Sequence, residues 1–391
     1  MRVHLDHNAT TPLRPEVLAL LTELLGEPLG NPSSLHASGR RARHLVDEAR
    51  ERVAAALGVH EDEIVFTGGG TEAVNLGLLG AVRALGPGTG FVTTPIEHSA
   101  VLAGAGILNA EGYRGCTVEV DREGRIDPEC VLELLERPRH RLLAVQAANS
   151  EIGVVPPLAA LVERARERPG EPALVFSDAV QALGRIPLPL ARPGDDPKSG
   201  VDLLALSAHK VGGPPGVGVL VRRHGVTLHP LTFGGGHEAG LRPGTENVAG
   251  IAAAALAIEL AVAERSAFAE RVRGQTTELW RELARRLPDA QIIGPPIDAH
   301  DRLPNTLCIA LPGVDGRVLV TRLDLEGLEV SAGSACSSGS LEPSPVLLAM
   351  GRDERDARSG LRVSLGRTTT RDDCTRAVDI LEKVARATRA T

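Results

Sequence analysis

The chain has 391 residues, of which 42% are apolar and 24% are charged, and its net charge is −7. This length and apolar content suit two or three folded domains and exclude an intrinsically disordered chain, while the acidic balance argues against nucleic-acid binding. No apolar run reaches the roughly 18 residues of a membrane span and the N-terminus has no signal-peptide core, so we expect a cytoplasmic protein.

The first two thirds of the chain alternate between helical and strand patterns. Residues 42–57 place their apolar side chains on one helical face, and Gly58 ends this pattern. Short apolar runs typical of buried strands follow at 63–67, 90–95, 141–149, 172–179, 202–209 and 216–223. Short buried strands that alternate with helices predict an α/β fold with a mainly parallel sheet covered on both faces.

Polar residues follow these predicted strands at the point where each strand ends. They are Gly70, Thr71, Glu97, His98, Asn149, Asp178, Gln181, Ser207, His209 and Lys210. Ligands of such sheets bind beyond the carboxyl ends of the strands, so we expect these residues to converge on one edge. The glycine-rich turn at 68–70 opens a helix whose N-terminus suits a phosphate, although such a turn alone is weak evidence.

The last third of the chain predicts a smaller α+β domain. An alanine-rich helix at 248–265 leads out of the large domain, and a strand at 306–313, a helix and a final amphipathic helix follow. We therefore place a large domain at residues 14–262 and a small domain at residues 1–13 and 263–391.

Lys210 is the first candidate catalytic residue. Only three of the 43 basic residues are lysines, and Lys210 ends a predicted strand beside Ser207 and His209. A lone lysine at a strand end is more often simply solvated, but these neighbours suit a Schiff base to an aldehyde cofactor. Asp178 and Gln181 follow another strand. An acid at this position can keep the pyridine nitrogen of such a cofactor protonated. Alternatively, Asp178 only caps the helix that follows.

The five cysteines include no CxxC pair and no Cys/His cluster, so the sequence predicts neither a disulfide framework nor a metal site. Four of them lie among apolar or helical residues, where a buried and inert thiol is expected. Cys336 instead lies in a run of glycine, serine and alanine at 333–339. That run predicts a mobile, exposed loop in the small domain and a reactive thiol.

Ten short motifs run in order along the chain: LDHNATTP, NPSSLH, GGGTEAVN, IEH, NSEIG, SDAVQ, SAHK, GGGHEAGLRPGTEN, SAGSACSSGSLEPSPVL and LRVSLGR. From Leu5 to about Arg367 they closely resemble the cysteine desulfurases of the NifS/IscS group, which are pyridoxal-phosphate enzymes. The resemblance implies the aminotransferase-like, fold-type I architecture, with a mostly parallel seven-stranded sheet in the large domain and a smaller α+β domain. Ala239 and Pro243 depart from the usual pattern, but no matched catalytic position is missing.

The resemblance also implies a role for each matched residue. Lys210 would hold pyridoxal 5'-phosphate and move the substrate's α-proton, and His98 would stack on the pyridine ring and assist this proton transfer as a catalytic residue. Asp178 would pair with the ring nitrogen, and Gln181 would donate to the ring oxygen. Asn149 would lie near that oxygen and the substrate carboxylate. The implied phosphate site consists of Gly70, Thr71, Ser207, His209 and, from a second subunit, Thr245.

The implied reaction converts L-cysteine to L-alanine. Arg362 would clamp the substrate carboxylate, a role that suits the fork of a guanidinium, and Cys336 would take the sulfur as a persulfide. Thr245 implies a homodimer. The long loop up to Pro345 resembles the subgroup that hands sulfur to an acceptor protein such as an iron–sulfur scaffold.

Other functions stay open at this point. A selenocysteine lyase or a small-amino-acid aminotransferase would share the fold, and the aminotransferase would not need Cys336. A catalytically silent subunit that only binds or assembles would have no reason to retain the full set of five residues, which are Lys210, Asp178, His98, Cys336 and Arg362.

Overall fold

The computed structural model describes residues 2–168, 170–191, 194–333 and 342–389. Its strands are β1 (Val3–His4), β2 (Ile64–Thr67), β3 (Gly90–Thr93), β4 (Arg114–Thr117), β5 (His140–Ala144), β6 (Leu174–Asp178), β7 (Leu203–Ser207), β8 (Gly218–Arg222), β9 (Gln291–Ile293), β10 (Thr306–Ala310), β11 (Leu328–Glu329) and β12 (Gly360–Ser364). Its α-helices are α1 (Pro15–Gly26), α2 (Ala37–Leu57), α3 (Gly70–Ala84), α4 (Ser99–Ala110), α5 (Pro128–Leu135), α6 (Leu158–Glu167), α7 (Val248–Arg286), α8 (Gly316–Leu325), α9 (Pro345–Ala349), α10 (Glu354–Arg358) and α11 (Arg371–Arg389). None of the helices in the described ranges has the length and apolar content that crossing a membrane requires.

Seven strands form the main sheet, in the order β2-β8-β7-β6-β5-β3-β4. β8 runs antiparallel to both of its neighbours, and all other neighbouring pairs are parallel. The predicted fold class is therefore confirmed, and a strand is present in each of the six apolar runs. The apolar pattern misses β4, because this edge strand has the sequence RGCT and its side chains are exposed or half-buried.

Helices cover both faces of this sheet, because neighbouring residues of a strand point to opposite sides. Val175 and Phe176 on β6 belong to different apolar cores, the first shared with α2 and α7 and the second with α3 and α4. Gly77 lets α3 lie directly on β6, since a Cβ at this position would be 2.6 Å from the Phe176 ring. α3 is thereby held close to the strand that ends in Asp178.

A separate apolar core surrounds a three-stranded antiparallel sheet in the order β12-β10-β9. α8, α11 and the second half of α7 pack on it through residues such as Leu319, Leu381 and Leu279. The N-terminus of the chain joins this part, because β1 pairs with β11. α7 extends beyond the helix predicted at 248–265 and contributes to both cores. The domain boundaries at residues 14 and 262 stay a prediction.

Candidate active site

A cavity of about 290 Å³ opens at the carboxyl edge of the main sheet. The predicted site residues that line it are Gly70, Thr71, His98, Asp178, Gln181, Ser207, His209, Lys210 and Arg362. Asn8, Ala9 and Ser150 contribute to the same lining. Eight of the ten residues expected to converge from the strand ends therefore line one cavity, whereas Glu97 and Asn149 do not.

The glycine-rich turn leads directly into α3. Gly70 is the first residue of this helix, and a Cβ there would lie 3.1 Å from Cβ of Ser207 and from Cγ2 of Val180. Glycine thus allows the end of β7 and the start of α3 to meet closely. The first N–H groups of a helix have no partner within the helix, so this end of α3 suits a phosphate.

Asp178 ends β6, and its carboxyl group is buried. Its Oδ1 accepts a hydrogen bond from the backbone N–H of Val180 at 3.0 Å. Burial raises the pKa of Asp178, whereas His98, the Val180 N–H and the charge of Lys210 lower it. A buried carboxylate is stabilised by a cation or an N–H donor, so this position suits the protonated nitrogen of a pyridine ring.

His98 is the N-cap of α4. Its Nδ1 accepts a hydrogen bond from the backbone N–H of Ala100 at 3.1 Å. An accepting ring nitrogen carries no proton, so a neutral His98 carries its proton on Nε2. The start of α4 therefore fixes both the position and the tautomer of this ring at the cavity.

Residues 5–11, which we call the N-terminal strap, hold two of the site residues. Nζ of Lys210 donates to the carbonyl oxygens of Asn8 at 2.9 Å and Ala9 at 2.6 Å. Nε2 of Gln181 donates to the same Asn8 oxygen at 2.9 Å. Backbone carbonyls thus hold the lysine ammonium group and the glutamine amide side by side.

Lys210 also acts on its neighbour His209. Burial, and to a smaller extent the charge of Lys210, lower the pKa of His209 to about 4. His209 is therefore uncharged at neutral pH, with its Nδ1 3.3 Å from Oγ1 of Thr10 on the strap. An uncharged imidazole can donate one hydrogen bond to a phosphate and accept another from the protein.

Arg362 on β12 is almost completely buried, with 1% of its side chain exposed. Its Nη2 donates to Oδ1 of Asp6 at 2.6 Å, and its Nη1 donates to the carbonyl oxygen of Ser150 at 3.2 Å. Within the described residues, Nε has no hydrogen-bond partner. Nη1 and Nη2 each keep a second N–H, and Arg362 lines the cavity, so the guanidinium group has donors for a carboxylate there.

Two of the predicted site residues lie outside the lining of this cavity, and a third is not described by the structure. The side chain of Asn149 is buried behind the cavity, where Oδ1 accepts two backbone N–H groups at 2.8 Å and Nδ2 donates to the Ile96 carbonyl at 2.9 Å. Thr245 is exposed on a loop before α7. Cys336 lies outside the described residues. The roles expected for these three residues stay predictions.

Residues near the cavity include two buried acids to which the sequence patterns give no role. Oε1 of Glu97 accepts hydrogen bonds from Thr94 and Gln146, and burial raises the pKa of Glu97 to about 8. Burial also raises the pKa of Glu151, although Ser344 and Arg362 oppose this. Neither carboxylate oxygen of Glu151 accepts a hydrogen bond of normal geometry from the described parts of the chain. The signal available for both acids is their position inside the motifs IEH and NSEIG.

Known proteins resemble this chain over nearly its full length. The family model described as aminotransferase class-V matches residues 3–376. A cysteine desulfurase IscS from Dictyoglomus turgidum is 42% identical over 383 residues, which cover 98% of this chain and 94% of the relative. A cysteine desulfurase from Cereibacter sphaeroides is 40% identical over 391 residues, which cover 100% of this chain and 97% of the relative.

Solved structures show the same similarity. A NifS-like protein superposes with a TM-score of 0.90 at 35% identity, covering 99% of this chain and 100% of the other. SspA in complex with cysteine superposes with a TM-score of 0.77 at 29% identity, covering 93% of this chain and 98% of the other. The chain therefore belongs to the class-V aminotransferase family and, within it, to the cysteine desulfurases.

Proposed function

We propose that this protein is a pyridoxal-phosphate-dependent cysteine desulfurase, which converts L-cysteine to L-alanine and carries the sulfur on Cys336 as a persulfide. The observation that carries the proposal is that Lys210, Asp178 and Arg362 line one cavity beside the N-terminus of α3. The relatives support it, because two of them are named cysteine desulfurases and SspA is known in complex with cysteine.

The residues of the cavity fit pyridoxal 5'-phosphate. Gly70 lets the glycine-rich turn approach Ser207, so backbone N–H groups and the hydroxyls of Thr71 and Ser207 would hold the phosphate. Asp178 would hold the ring nitrogen in its protonated form, and Lys210 would bind the aldehyde carbon. When bound, the cofactor withdraws electrons from the substrate's α-carbon.

Three side chains would act on the amino-acid substrate. Arg362 would bind its carboxylate through the N–H groups that Asp6 and Ser150 leave unused. Nζ of Lys210 would take the proton from the α-carbon as a general base. His98 would face the cofactor ring with a proton on Nε2, because Nδ1 is occupied by the backbone of α4.

The role of Cys336 rests on the motif around it. The Cys336 thiolate would attack the sulfur of the bound cysteine, so that an S–S bond forms while the Cβ–S bond breaks. The electron pair of the broken bond stays on the carbon, which takes up a proton, and L-alanine leaves. A reductant then releases sulfide, or an acceptor protein such as an iron–sulfur scaffold takes the sulfur.

We further propose that the protein works as a cytoplasmic homodimer. Thr245 is exposed rather than turned into its own chain's cavity, as expected for a residue that reaches the phosphate of a second subunit.

The proposed division into a large domain at 14–262 and a small domain made of the remaining residues follows the two apolar cores that α7 joins.

The test compares sulfide and L-alanine release from L-cysteine, with a reductant present, in the wild type and in Cys336→Ala. We expect equal amounts of the two products from the wild type and loss of both in Cys336→Ala. Cys130→Ala is the matched control, because Cys130 is an exposed thiol on α5 outside the cavity. It should keep wild-type rates.

Two results would contradict the proposal. Undiminished sulfide release by Cys336→Ala would remove Cys336 from the reaction. A wild-type enzyme that exchanges amino groups with keto acids, or that acts only on L-selenocysteine, would point to the aminotransferase or the selenocysteine lyase instead.

A further inference from the structure

Arg362 is held in place by the beginning of the chain. Asp6 on the N-terminal strap accepts from Nη2 at 2.6 Å, although the two residues are 356 positions apart in sequence. Asp6 stays 20% exposed while Arg362 is 1% exposed, so the carboxylate closes the outer side of a buried guanidinium group. Backbone pairing keeps this contact in register, since Asp6 forms a bridge with Ser364, two residues beyond Arg362 on β12.

The two contacts of Arg362 leave little freedom to its guanidinium group. Asp6 holds one terminal nitrogen, and the carbonyl of Ser150 holds the other. A hydrogen bond from a guanidinium group to a carboxylate is stronger than one to a backbone carbonyl, so Asp6 contributes more than Ser150 to the orientation of the Arg362 side chain. Without it, the long side chain would gain rotamers that point its donors away from the cavity.

We propose that Asp6 is a positioning residue for recognition of the substrate's carboxylate: it sets the direction in which Arg362 presents its free N–H groups to the cavity. This inference rests on the proposed function, in which Arg362 binds the carboxylate of L-cysteine. The same strap holds Nζ of Lys210 through the carbonyls of Asn8 and Ala9. One short segment therefore sets the spacing between the groups that would meet the carboxylate and the α-carbon.

The test uses two ligands that differ only in the carboxylate. L-Alanine carries it, ethylamine lacks it, and neither holds a sulfur that can be removed. Dissociation constants are measured by titration calorimetry on the cofactor-loaded wild type, Asp6→Ala and Asp6→Asn. We expect Asp6→Ala to raise the dissociation constant of L-alanine about 10-fold and to raise the KM for L-cysteine by a similar factor. Ethylamine binding and kcat should stay within about 2-fold of the wild type.

Asp6→Asn should fall between the wild type and Asp6→Ala, because its amide oxygen still accepts from Nη2 but without charge. Glu329→Gln is the matched control. Glu329 lies on β11, where it pairs with Arg2 and His4 outside the cavity, so both ligands should bind this variant as they bind the wild type.

Two outcomes would overturn the inference. If Asp6→Ala weakens the binding of L-alanine and of ethylamine equally, Asp6 has a general structural role. If Asp6→Ala binds L-alanine more tightly than the wild type does, the Asp6 carboxylate competes with the substrate's carboxylate for Arg362. Arg362→Lys, measured in parallel, separates these failures from that of the proposed function. If Arg362→Lys weakens L-alanine and Asp6→Ala does not, only the role of Asp6 is wrong. If Arg362→Lys leaves L-alanine binding unchanged, the assignment of Arg362 itself is wrong.

Discussion

The two walls of the cavity are built in different ways. The sheet-edge wall consists of residues at or just beyond the ends of the main-sheet strands: Asp178 is the last residue of β6, and Lys210 ends the short turn Ala208–Lys210 that follows β7. The strap wall consists of the N-terminal strap, Ser150 and Arg362. Its members come from distant parts of the chain: Asp6 and Arg362, for example, are 356 positions apart in sequence. The first wall is positioned by local chain geometry, and the second is positioned by tertiary polar contacts.

This difference separates chemistry from recognition. The sheet-edge wall carries the groups proposed to bind the cofactor and to move the α-proton, and the parallel strands place them at one edge. The strap wall carries the groups proposed to bind the substrate carboxylate. Substitutions in the sheet-edge wall should therefore lower the rate of L-alanine formation. Substitutions in the strap wall should weaken the binding of L-cysteine and lower the free energy of unfolding.

The largest effect is expected at Lys210 on the sheet-edge wall. Lys210→Ala removes the proposed general base and the proposed attachment point of the cofactor, so L-alanine formation from L-cysteine should fall by about 10³-fold or more. The unfolding midpoint should change little by comparison, because the strand β7 before it remains buried. Activity is followed as L-alanine released, and folding is followed by circular dichroism.

Lys198→Ala is the control for this substitution. Lys198 is another of the three lysines, but it lies exposed on the short turn Pro197–Ser199. It should keep wild-type activity. L-Alanine formation by Lys210→Ala at more than a tenth of the wild-type rate would show that another group moves the proton.

A smaller effect, on stability, is expected at Asn8 on the strap wall. Nδ2 of Asn8 donates to the Ser150 carbonyl and to Oγ1 of Thr306, and Oδ1 accepts from Asn305. Asn8→Ala leaves buried polar groups without their partners, which should cost about 2–4 kcal/mol of unfolding free energy in urea. The KM for L-cysteine should rise as well, because the strap also carries Asp6.

Asn109→Ala is the matched control for Asn8→Ala. Its Oδ1 accepts from the backbone N–H of Gly115 at 2.8 Å in an exposed setting. Water replaces such a bond, so the cost should be about 1 kcal/mol or less. Equal losses in the two variants would mean that the strap is not held by its buried hydrogen bonds.

The same contrast explains what could be predicted from the sequence. Asp178 and Lys210 can be placed at the site because each lies where an apolar run ends, and the position of a strand end is local information. Nothing local shows that the segment around Asp6 folds against β12. The place of Arg362 therefore comes from the resemblance alone, and its ion pair with Asp6 is visible only in the structure.

Two further differences have physical reasons. Asn149 follows a predicted strand just as Asp178 does, but its amide is used to stabilise the turn that follows and to bind the Ile96 carbonyl. β4 carries no apolar pattern, because it is an edge strand whose side chains are not buried. Patterns of hydrophobicity show which segments are buried, but they do not show how a polar side chain is used.

The smallest effect, taken per pH unit, is expected at the buried acid behind the sheet-edge wall. Burial raises the pKa of Glu97 to about 8, so the folded protein retains a proton that the unfolded chain releases near pH 4.5. The unfolding free energy should therefore fall as the pH rises from about 5 to 8, by at most about 1.4 kcal/mol per pH unit from this group. Glu97→Gln keeps an amide oxygen to accept from Thr94 and Gln146 but cannot titrate, so it should flatten this slope.

Urea unfolding of the wild type and of Glu97→Gln at pH 6, 7 and 8 measures this slope. The variant should gain stability relative to the wild type at each step towards pH 8. Glu48→Gln, at an exposed position on α2, should follow the wild type throughout. A stability difference between Glu97→Gln and the wild type that does not change with pH would mean that Glu97 has the same charge in the folded and unfolded chains. A second buried negative charge, on Glu97, would then lie next to Asp178. Asp178 would no longer be the main negative charge near the ring nitrogen of the bound cofactor.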